Sequence, residues 1–344
     1  MKLGLILSND WEVFGNGSGD YFEIQHKPLE GLLKTVENHG ARLTVMAEIG
    51  QQWAHQRVGE REPWAKEIVT AWEAMLRETI RRGSDVQLHL HPTWLNARYE
   101  NGDWNLDLSQ WSISSLAPDV MEKVLRKGKQ YLDNLLQQVN PNYECIAFRA
   151  GAYCIQPSRI ITQNLLKSGI VCDTSVTKGL YDPGFYDYRD AYSNFLPWFV
   201  SPDDVSCRND RGEGLLEIPI CSYIGIDSPI LRRLAFATPA DLEGREIFYK
   251  VHFGVSLNKE DQRWFLEKNK KIIHEYDKPL PRNMTSIEWL LSKLITRTSI
   301  QLDYDCLPPK VFGGCIQKIY ESESVKEWRD KEVIIPIMAS GHVK

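Results

Sequence analysis

The stretch Asp85-Val-Gln-Leu-His-Leu-His-Pro-Thr-Trp94 carries the pattern that decides both the expected fold and the expected site. Residues Val86–His91 are predicted to form a short β-strand, which Pro92 ends because proline cannot donate a hydrogen bond to a neighbouring strand. Side chains two apart on a strand point to one face, so His89 and His91 are expected to lie together at the strand's end. Two imidazoles placed in this way can share a divalent metal; the alternative is one buried and one exposed histidine.

Short apolar strands alternate with amphipathic helices on both sides of this stretch. Glycine follows several of the helices, at the position where a helix commonly ends. The predicted strands are Leu3–Ser8, Leu43–Ala47, Val86–His91 and Cys145–Phe148. The predicted helices lie near residues 28–39, 68–82, 118–136 and 158–167. This alternation predicts an α/β fold in which helices flank a parallel sheet, and the periodicity leaves open whether that sheet closes into a barrel.

The second half of the chain is less regular, and two long insertions are predicted in a single domain that spans residues 1–344. The first covers about residues 178–213, which are rich in Tyr, Asp, Pro and Gly, and the second covers about residues 222–300. Helices are predicted near Asn258–His274, Ser286–Thr296 and Pro309–Tyr320. Val333–Met338 is predicted to be the final strand.

Composition and charge narrow the classes of partner. The net charge is −5, with 42% hydrophobic and 25% charged residues, so nothing in the composition favours a nucleic-acid partner. No apolar run approaches the roughly 18 residues of a membrane span. Seven cysteines, an odd number without a Cys-x-x-Cys pair, favour a reducing compartment over a disulfide framework. A cytoplasmic location is therefore expected, whereas the oligomeric state does not follow from the sequence.

Further polar side chains follow the other predicted strands. Asp10 and Glu12 come after the first strand, and a carboxylate with two imidazoles makes a three-ligand metal set that leaves a position for water. Arg149 follows the strand at residues 145–148 and is poised to pair with a carboxylate, and the last strand delivers His342. Each residue alone is equally compatible with a solvated surface position. Because sites gather at the carboxyl ends of strands in α/β sheets, the segments together favour one metal-dependent site.

Together these segments resemble the polysaccharide deacetylases, the NodB-homology domains of carbohydrate esterase family four. The family motifs are an Asp pair after the first strand, a His pair, an Arg-containing segment that ends in Tyr, and a late Leu-x-x-His. The corresponding segments of this chain are Asp10-Trp-Glu12, His89-Leu-His91-Pro92, Arg149-Ala-Gly-Ala-Tyr153 and Met338-Ala-Ser-Gly-His342. Two segments differ from the family pattern. The histidines are separated by one residue rather than three, and Asp10-Trp-Glu12 replaces adjacent aspartates.

The resemblance implies a distorted, incomplete (β/α) barrel with long insertions in its second half. It also implies a hydrolase that removes an acyl group, such as N-acetyl, from an amino sugar or a sugar-containing precursor in surface-polysaccharide metabolism. Two other functions stay open on the same fold. One is an amide hydrolase that acts on a small non-sugar substrate, and the other is a catalytically silent sugar-binding protein.

The resemblance further implies roles for individual residues. One divalent metal ion is expected, and zinc suits two histidines and a carboxylate, although iron, cobalt and nickel also fit. The expected metal ligands are Glu12, His89 and His91. The expected catalytic residues are Asp10, Arg149 and His342. Spacing alone leaves open which of Asp10 and Glu12 binds the metal and which accepts a proton. The residues expected to contact the sugar are Trp11, Trp94 and Tyr153.

Overall fold

Helices and strands alternate along the first half of the chain, as the sequence pattern predicts. The computed structural model describes residues 3–38, 40–193, 197–220, 246–253, 312–313, 332–334 and 337–339. Within them the α-helices are α1 Lys27–Asn38, α2 Ile49–Gly59, α3 Pro63–Arg81, α4 Pro118–Leu136 and α5 Ser158–Lys167. A π-helical segment, Phe22–His26, leads directly into α1. The strands are β1 Leu3–Trp11, β2 Leu43–Glu48, β3 Asp85–Leu90, β4 Arg98–Glu100, β5 Asp103–Asn105, β6 Ala147–Ala150, β7 Cys172–Asp173, β8 Tyr181–Asp182, β9 Tyr186–Asp187, β10 Trp198–Phe199, β11 Leu216–Glu217, β12 Glu246–Phe253, β13 Phe312–Gly313, β14 Glu332–Ile334 and β15 Ile337–Ala339.

The four helices that the sequence predicts each bury one apolar stripe. In α4 the buried residues Met121, Leu125 and Leu132 recur at the spacing of helical turns. Pro63 and Pro118 begin α3 and α4, where the missing N–H of proline costs no intrahelical hydrogen bond. All four predicted helices are therefore confirmed, although α3 begins at Pro63, before the predicted start near residue 68.

One mostly parallel sheet forms the centre of the described structure. Its strand order is β10-β11-β7-β6-β3-β2-β1-β12-β14, with β13 paired to β1 and β15 paired to β12. The pair β10–β11 is antiparallel, and the other pairs of this sheet are parallel. The mixed α/β class is thus confirmed. Among the described residues no pairing joins β10 to β14, so closure into a barrel stays a prediction.

The two faces of this sheet differ in chemistry. Because successive side chains of a strand point to opposite faces, Leu7 and Phe148 enter the main core with the helices, while their neighbours Ile6 and Ala147 form a small apolar cluster on the other face. Further along that second face, most of the buried side chains are polar, and Met46 is the apolar exception on β2. The polar ones are Ser8, Asp10, Thr44, Glu48, Gln87, His89 and Arg149. The sheet therefore presents a buried polar patch on the face away from the main core.

Helix α2 was not predicted, because it has no single apolar stripe. Gln51, Gln52 and His55 are buried beside Trp53 and Ala54, so polar and apolar residues share its buried positions. A helix of this kind escapes detection by periodicity. Its buried polar residues lie next to the carboxyl end of β2, which brings them close to the polar patch.

The second half of the chain is described only in part. In the segment predicted as the first insertion, β10 pairs with β11 of the main sheet. Within residues 222–300, predicted as the second insertion, β12 pairs with β1 over seven residues. The predicted final strand corresponds to β14 and β15. The helices predicted near Asn258–His274 and Ser286–Thr296 lie outside the described residues. The helix predicted near Pro309–Tyr320 is wrong at Phe312–Gly313, because these residues form β13 and pair in parallel with β1. Within the described part of the chain, no helix has the length and apolar character needed to cross a membrane.

Candidate metal centre

Four side chains meet at the carboxyl edge of β1, β2 and β3: Glu12, Glu48, His89 and His91. One nitrogen or oxygen atom of each lies within 4.8 Å of those of the other three. The sheet register explains the meeting, because Glu48 and His89 are partners across β2 and β3. Glu12 follows the last residue of β1, and His91 follows the last residue of β3. The residue types and their spacing fit a site for one divalent cation.

The His89 imidazole is oriented by the backbone of the neighbouring strand. Its Nδ1 lies 2.9 Å from the carbonyl oxygen of Arg149, so Nδ1 carries the proton and donates it. Its Nε2 is then an acceptor that is buried without a hydrogen-bond partner. Nε2 lies 3.6 Å from Glu12 Oε1 and 4.0 Å from Glu48 Oε2. A buried imidazole lone pair that faces two carboxylates is the arrangement that a metal ion completes.

The His91 imidazole is packed against the turn after β6. Its Nε2 lies 3.0 Å from Glu12 Oε2, and its ring centroid is 4.9 Å from that of His89. A Cβ atom at Gly151 would lie 2.5 Å from His91 Cγ, closer than nonbonded carbons approach. Glycine at position 151 therefore makes room for this imidazole.

Glu48 is the site residue that the sequence reasoning missed. It is fully buried, and its carboxylate accepts hydrogen bonds from the backbone N–H groups of Gly50 (2.7 Å), Gln51 (3.3 Å) and His91 (2.7 Å). It thus caps α2 and fixes the chain just beyond β3. The predicted strand stopped at Ala47, one residue too early. The rule that selected the other residues, a polar side chain at a strand's carboxyl end, would also have selected Glu48.

The two carboxylates of the cluster have opposite pKa shifts. Burial, together with the charge of Glu12, raises the pKa of Glu48 to about 8, although His91 and the backbone N–H groups oppose the change. Burial also disfavours the charged form of Glu12, but the charge of His91, whose Nε2 lies 3.0 Å from Glu12 Oε2, and the nearby His89 lower the pKa of Glu12 to about 2. Glu12 therefore stays ionised as the anionic member of the cluster.

Both histidines of the cluster have raised pKa values. Burial acts to lower them, but for His89 the charges of Asp10 and Glu12, and for His91 mainly that of Glu12, outweigh burial. The cluster therefore attracts positive charge, in the form of protons when no metal is bound.

Arg149 lies beside the cluster and connects it to Asp10. Its guanidinium is fully buried and donates to Asp10 Oδ1, to Ser8 Oγ (3.0 Å) and to Thr174 Oγ1 (3.2 Å). Its Nε also donates to the carbonyl oxygen of Thr174 at 3.0 Å. Since the Arg149 carbonyl accepts from His89, one residue holds both an imidazole and a carboxylate. The structure thus brings together five of the predicted site residues, and His342 lies outside the described residues.

The structure corrects two predicted sugar contacts, Trp11 and Trp94. Trp11 is 2% exposed and stacks on Trp72 of α3 with 5.5 Å between ring centroids. Trp94 is 1% exposed and packs in an apolar cluster that includes Val13 and Phe14. Both rings pack inside the protein because their large apolar area is buried there, so neither offers a face to a ligand.

Three other aromatic side chains, Trp111, Phe185 and Tyr153, are less buried than Trp11 and Trp94. The ring of Trp111 is half-buried, with its centroid 6.5 Å from that of His91. Phe185, at the turn between β8 and β9, is exposed, and its ring centroid is 6.5 Å from that of Trp111. Tyr153 lies in a turn where it and Ala152 both have positive φ, 60° and 51°. Burial and the nearby Asp10 raise the pKa of Tyr153, so its hydroxyl keeps its proton.

Comparisons with known proteins give two distant structural similarities. The chain matches no family model and no curated protein. It is similar to a 4-alpha-glucanotransferase from Thermococcus litoralis at 16% identity and a TM-score of 0.39, over 85% of this chain and 38% of that one. It is also similar to a family 4 carbohydrate esterase from Streptomyces lividans in complex with acetate, at 13% identity and a TM-score of 0.28, over 52% of this chain and 62% of that one. The chain thus spans less than two thirds of either protein.

Proposed function

We propose that this protein is a metal-dependent hydrolase that removes an acyl group from the nitrogen of an amino sugar. The observation that carries the proposal is the cluster of Glu12, Glu48, His89 and His91, in which His89 Nε2 is buried without a hydrogen-bond partner. Arg149 and Asp10 beside it supply the further charged groups that hydrolysis needs.

Glu12, His89 and His91 are the proposed metal ligands. Two imidazole nitrogens and one carboxylate leave a coordination position open, the arrangement of catalytic zinc sites. Glu48 is not among the proposed ligands, since both of its oxygens already accept backbone hydrogen bonds. Its proposed role is to hold the backbone of His91 in place. When bound, such a metal acts as a Lewis acid toward the acyl oxygen and lowers the pKa of water.

Asp10 is the proposed proton acceptor. The guanidinium of Arg149 favours the ionised form of Asp10 and fixes its orientation. The charge of Asp10 acts on His89, which places the carboxylate within electrostatic range of the cluster. The protonated hydroxyl of Tyr153 is a candidate donor to the acyl oxygen. His342 stays the proposed donor to the leaving amine, on the resemblance of its segment alone.

The aromatic rings near the cluster support a sugar as the substrate. The ring of Trp111 lies near His91, and the ring of Phe185 lies near Trp111. Flat apolar rings suit the C–H groups on one side of a pyranose ring. The fully buried rings of Trp11 and Trp94 have no part in this role.

A substrate panel tests the proposal. The zinc-loaded protein is incubated with N-acetylglucosamine oligomers and, separately, with N-acetylated amino acids, and the released acetate is measured. We expect the protein to release acetate from the N-acetylglucosamine oligomers. Release from the amino acids alone would identify a non-sugar amide hydrolase. Zinc binding without release from either class would contradict the hydrolase and favour a silent binding protein.

A further inference from the structure

Glu12 is the most exposed member of the cluster, and it lies just beyond the end of β1. Its side chain is 19% exposed, whereas those of His89 and Glu48 are 1% and 0% exposed. No strand pairing is present at Glu12 itself, because β1 ends at Trp11. Something other than the sheet must therefore hold this carboxylate toward the two imidazoles.

Two buried glutamine side chains bind the backbone on either side of Glu12. Gln25 Nε2 donates to the carbonyl oxygen of Trp11 at 2.9 Å. Gln51 Oε1 accepts from the backbone N–H of Val13 at 3.0 Å. The two amides are joined to each other, since Gln51 Nε2 donates to Gln25 Oε1 at 2.8 Å. The three hydrogen bonds form one chain from Val13 to Trp11, which we call the glutamine relay.

The direction of the glutamine relay is fixed by its two ends. The N–H of Val13 can only donate, so Gln51 must present its oxygen there and its NH₂ group to Gln25. Gln25 then accepts through its oxygen and donates its own NH₂ group to the Trp11 carbonyl. Gln25 and Gln51 are 2% and 0% exposed, so water does not compete for these bonds.

The glutamine relay is tied into the structure at both glutamines. Gln25 belongs to the π-helical segment before α1, and its carbonyl accepts from Trp11 Nε1 at 3.0 Å. Gln51 lies in the first turn of α2, where its backbone N–H donates to Glu48. The relay thus connects the peptide groups around Glu12 to the residue that also fixes His91.

We infer that Gln25 and Gln51 are positioning residues, which hold the backbone around Glu12 so that its carboxylate faces His89 and His91. This role rests on the proposed function, in which Glu12 is a metal ligand. The side-chain amides of both glutamines bind the backbone of Trp11 and Val13, the neighbours of Glu12. They therefore act on Glu12 through its backbone. Loss of either amide removes the restraint on one side of Glu12.

The test compares Gln25→Met and Gln51→Met with a matched control, Gln52→Met. Methionine keeps the size of glutamine and removes its hydrogen bonds. Gln52 is the next residue of α2 and is also fully buried, but its amide donates to the Tyr131 hydroxyl at 3.1 Å and does not take part in the relay. Each variant of the full chain is freed of metal, and its affinity for Zn²⁺ and the visible spectrum of its Co²⁺ form are recorded.

The expected result is an affinity for Zn²⁺ that falls by roughly 10–100-fold in both relay variants, the range for lost outer-shell contacts, with an altered Co²⁺ spectrum. Gln52→Met should keep both the affinity and the spectrum. The double variant Gln25→Met/Gln51→Met should lose little more than either single variant, because both break one chain. If one relay variant does not fold, the other still tests the inference.

Unchanged affinity and spectrum in the relay variants, with normal zinc binding by the wild type, would overturn the positioning role and leave the metal centre standing. An equal loss in Gln52→Met would also overturn it, because the effect would then be general to α2. A wild-type protein that binds no Zn²⁺ would overturn the metal centre and the glutamine relay's role together.

Discussion

At the scale of single residues, the site depends on close approaches that only certain side chains permit. His91 fits against position 151 because glycine has no Cβ. The Glu48 carboxylate accepts hydrogen bonds from three buried backbone N–H groups, which this carboxylate supplies with an acceptor. His89 keeps an unpaired Nε2 because its Nδ1 is held by the backbone of β6. The chemistry of the cluster is therefore set as much by backbone groups as by the four side chains.

Gly151→Ala should weaken zinc binding strongly. The added Cβ would lie 2.5–2.8 Å from three atoms of the His91 ring, so the imidazole must leave its position in the cluster. We expect at least about a tenfold loss of affinity, measured by competition with a chelator. Gly31→Ala is the matched control. Its Cβ meets no atom within 4 Å on helix α1, so it should leave zinc binding unchanged and stabilise the fold by about 0.5–1 kcal/mol.

Zinc affinity should rise as the pH increases from about 6 to about 8. The raised pKa values of His89 and His91 mean that protons occupy the lone pairs that zinc needs. The sign for the metal-free protein is the reverse. Protonated histidines with raised pKa values stabilise the fold below the ordinary histidine pKa, and this stabilisation is lost as the pH rises through the folded-state pKa. Kd and Tm measured at several pH values check both trends, and a flat affinity profile would contradict the ligand assignment.

At the scale of helices and strands, each element was predictable when it had one buried face. Helix α4 was predicted, and its start was placed correctly near Pro118, because its apolar residues recur on one stripe and proline favours the first helical turn. Helix α2 was missed because Gln51, Gln52 and His55 are buried next to apolar residues. The same cause hid the glutamine relay, since buried polar residues in a helix carry no periodic signal. Glu48 was missed because the predicted strand stopped at Ala47.

The rule that strand ends meet at one edge predicted most of the site. It selected His89, His91, Asp10, Glu12 and Arg149 without any knowledge of their distances, and the structure brings all five together. It could not predict which aromatic rings are buried and which are free to contact a ligand, because the burial of a ring depends on packing between distant segments. Trp11 and Trp94 therefore looked like sugar contacts in the sequence and lie in the core.

The rings of Trp111 and Phe185 are expected to contribute to the affinity for a sugar substrate. Replacing Trp111 by Ala removes a ring near His91, and we expect KM for the sugar substrate to rise by about five- to tenfold, which corresponds to about 1 kcal/mol. The kcat should change less, because the ring is not among the charged groups of the cluster. Tyr192→Ala is the control, since this exposed ring packs on Trp198 of β10, four strands from β3. Equal KM values for Trp111→Ala and the wild type would exclude the ring from the sugar site.

At the scale of the whole molecule, strands from the second half of the sequence lie next to the first strand, β1. Strand β12 pairs in parallel with β1, and β15 pairs in parallel with β12. The carboxyl ends of these strands therefore lie on the same edge as those of β1, β2 and β3. This arrangement is consistent with a role for the segment after β15, where the sequence resemblance assigns His342.

His342→Ala should retain zinc and lose turnover. A general acid contributes roughly 10²–10⁴-fold to rate, so kcat on the sugar substrate should fall within that range. Zinc content and kcat are measured on the same preparation. Near-normal kcat would show that another group donates the proton, with Tyr153 as the next candidate. Loss of zinc would instead make His342 a ligand.

Metal content shows whether His89 and His91 bind a metal ion in this protein. The full chain, loaded with Zn²⁺ and then dialysed, is compared with His89→Ala/His91→Ala and with His26→Ala, a histidine of the π-helical segment outside the cluster. We expect one zinc per chain in the wild type and in His26→Ala, and none in the double variant, because Glu12 and Glu48 alone cannot replace two imidazole ligands. One zinc per chain in a folded double variant would contradict the account.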